Sequence, residues 1–273
     1  MRLGLTNIDL INLTKLIHEK SIKMLAFALL TLPLAACVTN TQQSNDQGIY
    51  GESAATERAR AHSDLAAAYL QQGKYEIALN EFTVATKIDS NYSPAYNGLA
   101  LVHAALGEDA KADANFKKSI QTDPKSSESH NNYGSFLCAR KRYDESIGHF
   151  LEAVKNPLYA TPNLAYANEG ICSARKNDIP SAEIYLNKAL QLQPLTYSAA
   201  YQLAEIQFKR GEVVAAKNNL QNVLVAAPSA EALWLAIKIE RVLGGRDNEA
   251  SYALQLRQQY PKSEQAGWLI SGQ

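Results

Sequence analysis

A 34-residue period runs through most of this chain and constrains its fold more than any other feature. Take Leu65-Ala66, Tyr69, Gly73, Tyr75, Ala78, Phe82 and Ala85 as the template. The pattern returns at Leu99-Ala100, Gly107, Ala112, Phe116 and Pro124, and again at Tyr133-Gly134, Leu137, Tyr143, Phe150 and Ala153. After a two-residue slip come Gly170, Ala182, Leu186, Ala189 and Pro194, then Leu203-Ala204, Gly211, Ala216, Leu220 and Pro228. A weaker sixth copy holds Trp234, Ile237, Gly245, Ala250, Leu254 and Pro261. A fixed period of this length means stacked supersecondary units rather than one globule. A small residue at the eighth position and Ala at the twentieth let two helices approach closely. Large residues at the seventh, eleventh and twenty-fourth positions fill the space between them. Pro near the thirty-second position ends the second helix, because it lacks an N–H and clashes with the preceding turn. Gly near the fifteenth position in repeats one, two, five and six suits a tight turn.

This pattern resembles the tetratricopeptide repeat, with six copies over 59–262 in a domain spanning 59–273. The resemblance implies an all-α fold of about six helix-turn-helix repeats, stacked as a right-handed superhelix whose concave face is lined by the first helices. Positions 2, 5, 9 and 12 of each first helix are expected to face that groove. They place Arg60, Ser63, Ala67, Leu70, Asn97, Leu101, Ala104 and Asn131 there as candidate partner-binding residues. Glu128, Ser135, Cys138, Tyr201, Glu205 and Phe208 continue the series. The lining is largely apolar with scattered amides, which suits an amphipathic partner segment docked by its apolar side chains. The 41 alanines of this 273-residue chain fit such close packing.

The N-terminus reads as an address. Met24 to Ala36 is an apolar run too short to span a bilayer, and it fits the core of a signal peptide. It ends Leu34-Ala35-Ala36-Cys37, which resembles a bacterial lipobox. Residues 1–36 are therefore expected to be removed, with 1–21 an over-called start ahead of it, and Cys37 to become the lipidated N-terminus. Val38 rather than Asp at the next position favours the outer membrane, by resemblance to bacterial lipoproteins. Residues 37–58 are polar and Gly/Ser/Asn/Gln-rich, and are expected to form the lipidated end and a flexible tether.

Cys138 and Cys172 remain after Cys37 is used. The two-residue slip puts them at positions 12 and 10 of successive first helices, so one side chain can point forward and the other back. In an oxidising periplasm this pair is expected to form a disulfide tying repeat three to repeat four; two free core thiols are the alternative. The same junction carries Asn131-Asn132-Tyr133-Gly134-Ser135-Phe136-Leu137-Cys138, Asn156-Pro157-Leu158-Tyr159-Ala160-Thr161-Pro162 and Asn168-Glu169-Gly170-Ile171-Cys172. These stretches, with the lipobox, the six repeats and Leu233-Trp234-Leu235, resemble the type IV pilus biogenesis lipoproteins of the PilF/PilW type. The resemblance implies a pilotin: an outer-membrane lipoprotein facing the periplasm that binds secretin subunits and promotes their multimerisation. The implied partners are the pilus secretin and, through acyl chains on Cys37, the outer membrane. Apart from the secretin complex the chain is expected to be a monomer. A general envelope scaffold for outer-membrane assembly or cell-wall enzymes is the second reading.

No catalytic pattern competes with these readings. His62, His103, His130 and His149 form no i, i+4 metal pair, so no metal is expected. There is no nucleophile elbow, phosphate loop, dinucleotide fingerprint or redox CxxC, so neither enzyme activity nor a cofactor is expected. With 27 basic and 27 acidic residues the chain lacks the surplus positive charge that nucleic-acid binding needs.

Overall fold

The computed structural model describes residues 53–271. Over that span the repeat pattern becomes six antiparallel helix pairs and a closing helix. The pairs are α1 (Ala54–Gln71) with α2 (Tyr75–Ile88), α3 (Ser93–Ala105) with α4 (Asp109–Thr122), and α5 (Ser127–Ala139) with α6 (Tyr143–Ala153). They continue as α7 (Pro162–Arg175) with α8 (Ile179–Leu192), α9 (Tyr197–Lys209) with α10 (Val213–Ala226), and α11 (Ala230–Leu243) with α12 (Arg246–Gln259). The last helix is α13 (Glu264–Ser271). The signal peptide expected over 1–36, the lipidation expected at Cys37 and the tether expected up to 52 lie outside the described residues. Among the described residues no helix is long and apolar enough to cross a membrane.

Helix α1 begins earlier than the 59 boundary, so residues 54–58, expected in the tether, are helical. Ser53 caps the helix by accepting from the Thr56 N–H at 3.1 Å. Thr56 then donates its hydroxyl to Asp89 at 2.8 Å, which ties this extra turn to the end of α2.

Within each pair the small and large positions mesh. Ala66, Ala78 and Phe82 are buried in repeat one, and Ala100, Ala112 and Phe116 in repeat two. In repeat three Phe150 lies against Gly134; a Cβ there would sit 2.7 Å from the ring. Ser146 replaces the usual Ala and donates to the Gly134 carbonyl at 2.7 Å, so the buried hydroxyl is satisfied. In repeat four the same space is filled by Leu186 against Gly170.

A left-handed residue closes every turn between the helices of a pair. Gly73, Gly107, Gly211 and Gly244 fill four of the six, while Lys141 (φ 63°) and Asn177 (φ 70°) fill the other two. The sixth turn uses Gly244, not Gly245 as the period predicts. The connection before α11 is 227–229, one residue shorter than 89–92, 123–126 or 193–196, so the whole sixth repeat moves forward by one. Leu254, expected in the core, is accordingly 56% exposed; Ala253 takes its place against the core, and Leu256 is buried at the position Val223 holds one repeat earlier. The slip at repeat four has the opposite cause. Helix α6 stops after 11 residues and the connection 154–161 lengthens. The Asn156 side chain accepts from the Leu158 N–H there at 2.9 Å.

First helices touch the first helices of neighbouring repeats, whereas among the described residues no two second helices touch. The first helices therefore lie on the inside of the curve. Ion pairs join successive repeats on the edge where the intra-repeat turns lie: Arg140 with Asp109, Lys176 with Asp144, and Arg210 with Glu183. Helix α13 closes the far end, with Trp268 packed on Trp234 at a ring separation of 5.7 Å.

Two substitutions test this packing. Gly134→Ala should lower stability by about 1–3 kcal/mol through overpacking against Phe150, although Gly to Ala within a helix ordinarily gains about 1 kcal/mol. Lys141→Gly should raise stability by up to about 1 kcal/mol by removing a left-handed lysine. Urea midpoints at constant m-value would measure both.

Candidate functional site

The inward faces of the first helices form the candidate site, and its middle is a ladder of amides. The Asn132 side chain donates to Asn97 Oδ1 at 3.3 Å, linking α5 to α3. The Asn168 side chain donates to Asn131 Oδ1 at 3.0 Å and to Ser135 Oγ at 3.3 Å, linking α7 to α5. Ser135 in turn donates to the Asn131 carbonyl at 3.0 Å. These bonds hold three consecutive first helices in register. The Asn131 NH₂ and the Asn168 carbonyl oxygen make no hydrogen bond among the described residues, and both residues are half-buried. They present a donor and an acceptor to a docking chain.

The groove residues expected from the period divide into two groups. Arg60 is exposed, and Ala67, Leu70, Leu101, Ala104 and Asn131 are half-buried, so they offer a mixed surface with apolar centres. Ser63 and Asn97 are buried, at 5% and 6% exposure. Ser63 therefore packs rather than binds, because the first repeat closes over it. Asn97 serves mainly as a rung of the ladder. Cys138 is also buried, in a disulfide with Cys172 whose Cα atoms are 5.8 Å apart. That bond staples α5 to α7 where α6 is shortened, and closing a loop of this length contributes roughly 3–4 kcal/mol.

Repeats five and six continue the face with Tyr201, Glu205, Phe208 and Lys238. Burial and the Glu205 carboxylate push the Tyr201 hydroxyl above its ordinary range. Lys238 lies over the Phe208 ring at 5.3 Å, and burial lowers its pKa. Tyr201 and Glu205 also line a recess of about 700 Å³ between α7 and α9, with Arg175 and Lys209 at its rim.

Two titratable clusters lie under the inner face. His130 Nε2 donates to the Pro124 carbonyl at 3.2 Å, which leaves its Nδ1 as an acceptor. His149 Nδ1 then donates to it at 2.9 Å. Burial, with His130 beside it, lowers the His149 pKa. Among the described residues no group of three or more His, Cys, Asp or Glu gathers as metal ligands would.

Glu169 is the second cluster. It stands at the seventh position of repeat four, where repeats one, two, three and five have Leu or Tyr, and is wholly buried. Neither carboxylate oxygen has a hydrogen-bond partner, nor has the Ser173 hydroxyl one turn on. Burial raises its pKa to about 7, against the opposing pull of Tyr185 and Lys188. The period marks Glu169 only as a departure from an apolar position, and nothing in the sequence says that its carboxylate points inward unpaired.

The tetratricopeptide-repeat family model matches residues 63–126, and a second model of that repeat matches 115–148. The type IV pilus assembly protein PilF of Pseudomonas aeruginosa is 32% identical over 237 residues, which cover 86% of this chain and 92% of PilF. The solved structure of Pseudomonas aeruginosa PilF superposes with a TM-score of 0.73 at 30% identity, covering 81% of this chain and all of that one. PilW, described as a widely conserved type IV pilus biogenesis factor, gives a TM-score of 0.69 at 31% identity, over 78% and 98% of the two chains.

Glu169 generates a pH prediction. Its folded pKa stands above the ordinary 4.5, so its contribution is fully favourable below about pH 4.5 and is lost as pH rises through about 7. Glu169→Gln should remove that slope and gain up to about 3 kcal/mol at pH 8. Urea titrations of both proteins at pH 5 and pH 8 would reveal a matching slope if the assignment is wrong.

Proposed function

The chain belongs to the PilF/PilW family of type IV pilus tetratricopeptide-repeat proteins and acts as a repeat scaffold in pilus biogenesis; on that premise we propose that it is the pilotin of the pilus secretin. In this reading Cys37 carries acyl chains that fix the protein to the outer membrane, facing the periplasm. The inner face of the repeats captures a segment of each secretin subunit. Tethering both at one membrane raises their effective concentration and orients them for ring closure.

The observation that carries the reading is the inner face itself. Half-buried Leu70 and Leu101 offer apolar contact beside an amide ladder that keeps a free donor and a free acceptor. That combination suits the side chains and the backbone of one docked segment together. The work ascribed to the protein is binding and anchoring, and no reaction step is needed.

A crosslinking pull-down of the secretin from membranes tests it, with Cys37→Ser as the anchor control. Leu70→Ser with Leu101→Ser should lower secretin capture at least tenfold, about 1.4 kcal/mol, while a cooperative thermal transition persists. Cys37→Ser should leave capture intact but reduce secretin multimers in the outer membrane. Undiminished capture by a folded groove variant would overturn the groove, and undiminished multimers with Cys37→Ser would overturn the anchor.

A further inference from the structure

The two long edges of the solenoid are chemically unlike. The turn edge is laced by the inter-repeat ion pairs of Arg140, Lys176 and Arg210. The opposite edge carries the connections between repeats, and hydrogen bonds run along it. Thr56 bonds Asp89, the Asn163 side chain donates to Thr196 at 3.0 Å, and the Tyr260 hydroxyl donates to the Pro228 carbonyl. The first two connections are polar: Asp89 to Tyr92 and Asp123 to Ser126. The next three, 154–161, 193–196 and 227–229, contain a single charged residue, Lys155, which pairs with Glu152 in the last turn of α6. Large apolar side chains stand out from these connections and the helix ends beside them. Leu158 is 88% exposed, Val225 83%, Leu195 53% and Leu192 51%.

Exposed apolar side chains that recur along one edge, repeat after repeat, mark that edge as an interaction surface. Equivalent positions of stacked repeats recur along one edge, so each connection makes its own prominence. A shaped protein surface would have to meet several separate prominences at once, whereas a lipid layer deforms around all of them.

The chain's own path selects the same edge. Thr56 places the start of α1 beside the connection that follows α2, so the chain enters its first helix on the connection edge, with residues 38–52 ahead of it in sequence. Fully extended they reach roughly 50 Å. A tether held at Cys37 therefore pulls on the edge that carries Leu158, Leu195 and Val225. We propose that the connection edge of repeats three to five lies on the membrane surface, with these side chains in its apolar boundary and Lys155 among the headgroups. The tether part of this reasoning rests on the anchoring of Cys37; the edge itself does not.

Such contact resembles that of an interfacial helix, where affinity scales with the apolar area buried at the headgroup boundary. Residues Tyr50–Gln273 form one compact unit with its own core, so the edge can be tested without Cys37. The probe is vesicles of phosphatidylethanolamine and phosphatidylglycerol, with binding read by flotation. The unit should float with the vesicles. Leu158→Glu with Leu195→Glu and Val225→Glu should cut the bound fraction at least tenfold. Ile184→Glu with Val214→Glu, at positions of 64% and 63% exposure on second helices, should stay within twofold of the parent. Circular dichroism melts confirm that both variants fold.

The proposal is overturned if the parent stays unbound, if the edge variant binds like the parent, or if the control variant loses as much. It is also overturned if the edge variant loses secretin capture while keeping vesicle binding, since the edge would then dock a protein. A failure of lipidation in cells would leave the flotation result unchanged, so the two readings fail separately.

Discussion

The close approach of two helices within each repeat is the contact on which the rest of the structure depends. In repeats one to five the side chains at the eighth and twentieth positions are Ala, Gly or Ser, so the backbones meet and the large side chain at the twenty-fourth position lies across the junction. Phe150 over Gly134 is the tightest described instance in repeat three, and Ser146 adds a buried hydrogen bond to the same spot. Interiors are packed close to crystal density, so each pair is held at a defined angle. Repeating that angle produces a curved stack, and the curve decides which helices face inward.

The inner face inherits its chemistry from this geometry. Because first helices touch first helices, amides on successive repeats come within reach and form the ladder from Asn97 to Asn168. The ladder and the Cys138–Cys172 disulfide lie in the same region, where α6 is shortened and the connection to α7 is longest. Rigidity lost from the connection is restored between the first helices. Glu169 runs against this economy. A buried carboxylate without partners costs stability unless it is protonated, and its pKa near 7 places that cost within the ordinary pH range.

Much of the fold was legible because the period of a solenoid is a direct image of its contacts. Ala78, Ala112, Ala182 and Ala216 announce the close approach, and the structure buries all four. The sixth repeat departs from the period because its connection is one residue shorter, so Gly244 and Ala253 stand where the period assigns Gly245 and Leu254. Lys141 and Asn177 were invisible as turn residues because the left-handed conformation is imposed there by the flanking helices rather than by glycine. On the inner face the structure leaves Leu70, Leu101 and Asn131 half-buried, whereas Ser63, which the period treats alike, is buried.

The sequence by itself determined the repeat number, the all-α class and the family, because local helix propensity, turn glycines and close-packing alanines all act within about 34 residues. Tertiary structure alone decided which groove side chains remain open, that the Glu169 carboxylate is buried without a hydrogen bond, and that the two edges differ, one laced with inter-repeat ion pairs and the other carrying exposed apolar side chains in repeats three to five. Those properties depend on how residues from different repeats meet in space, and burial, pairing and electrostatic environment are set by such neighbours rather than by the order of residues along the chain.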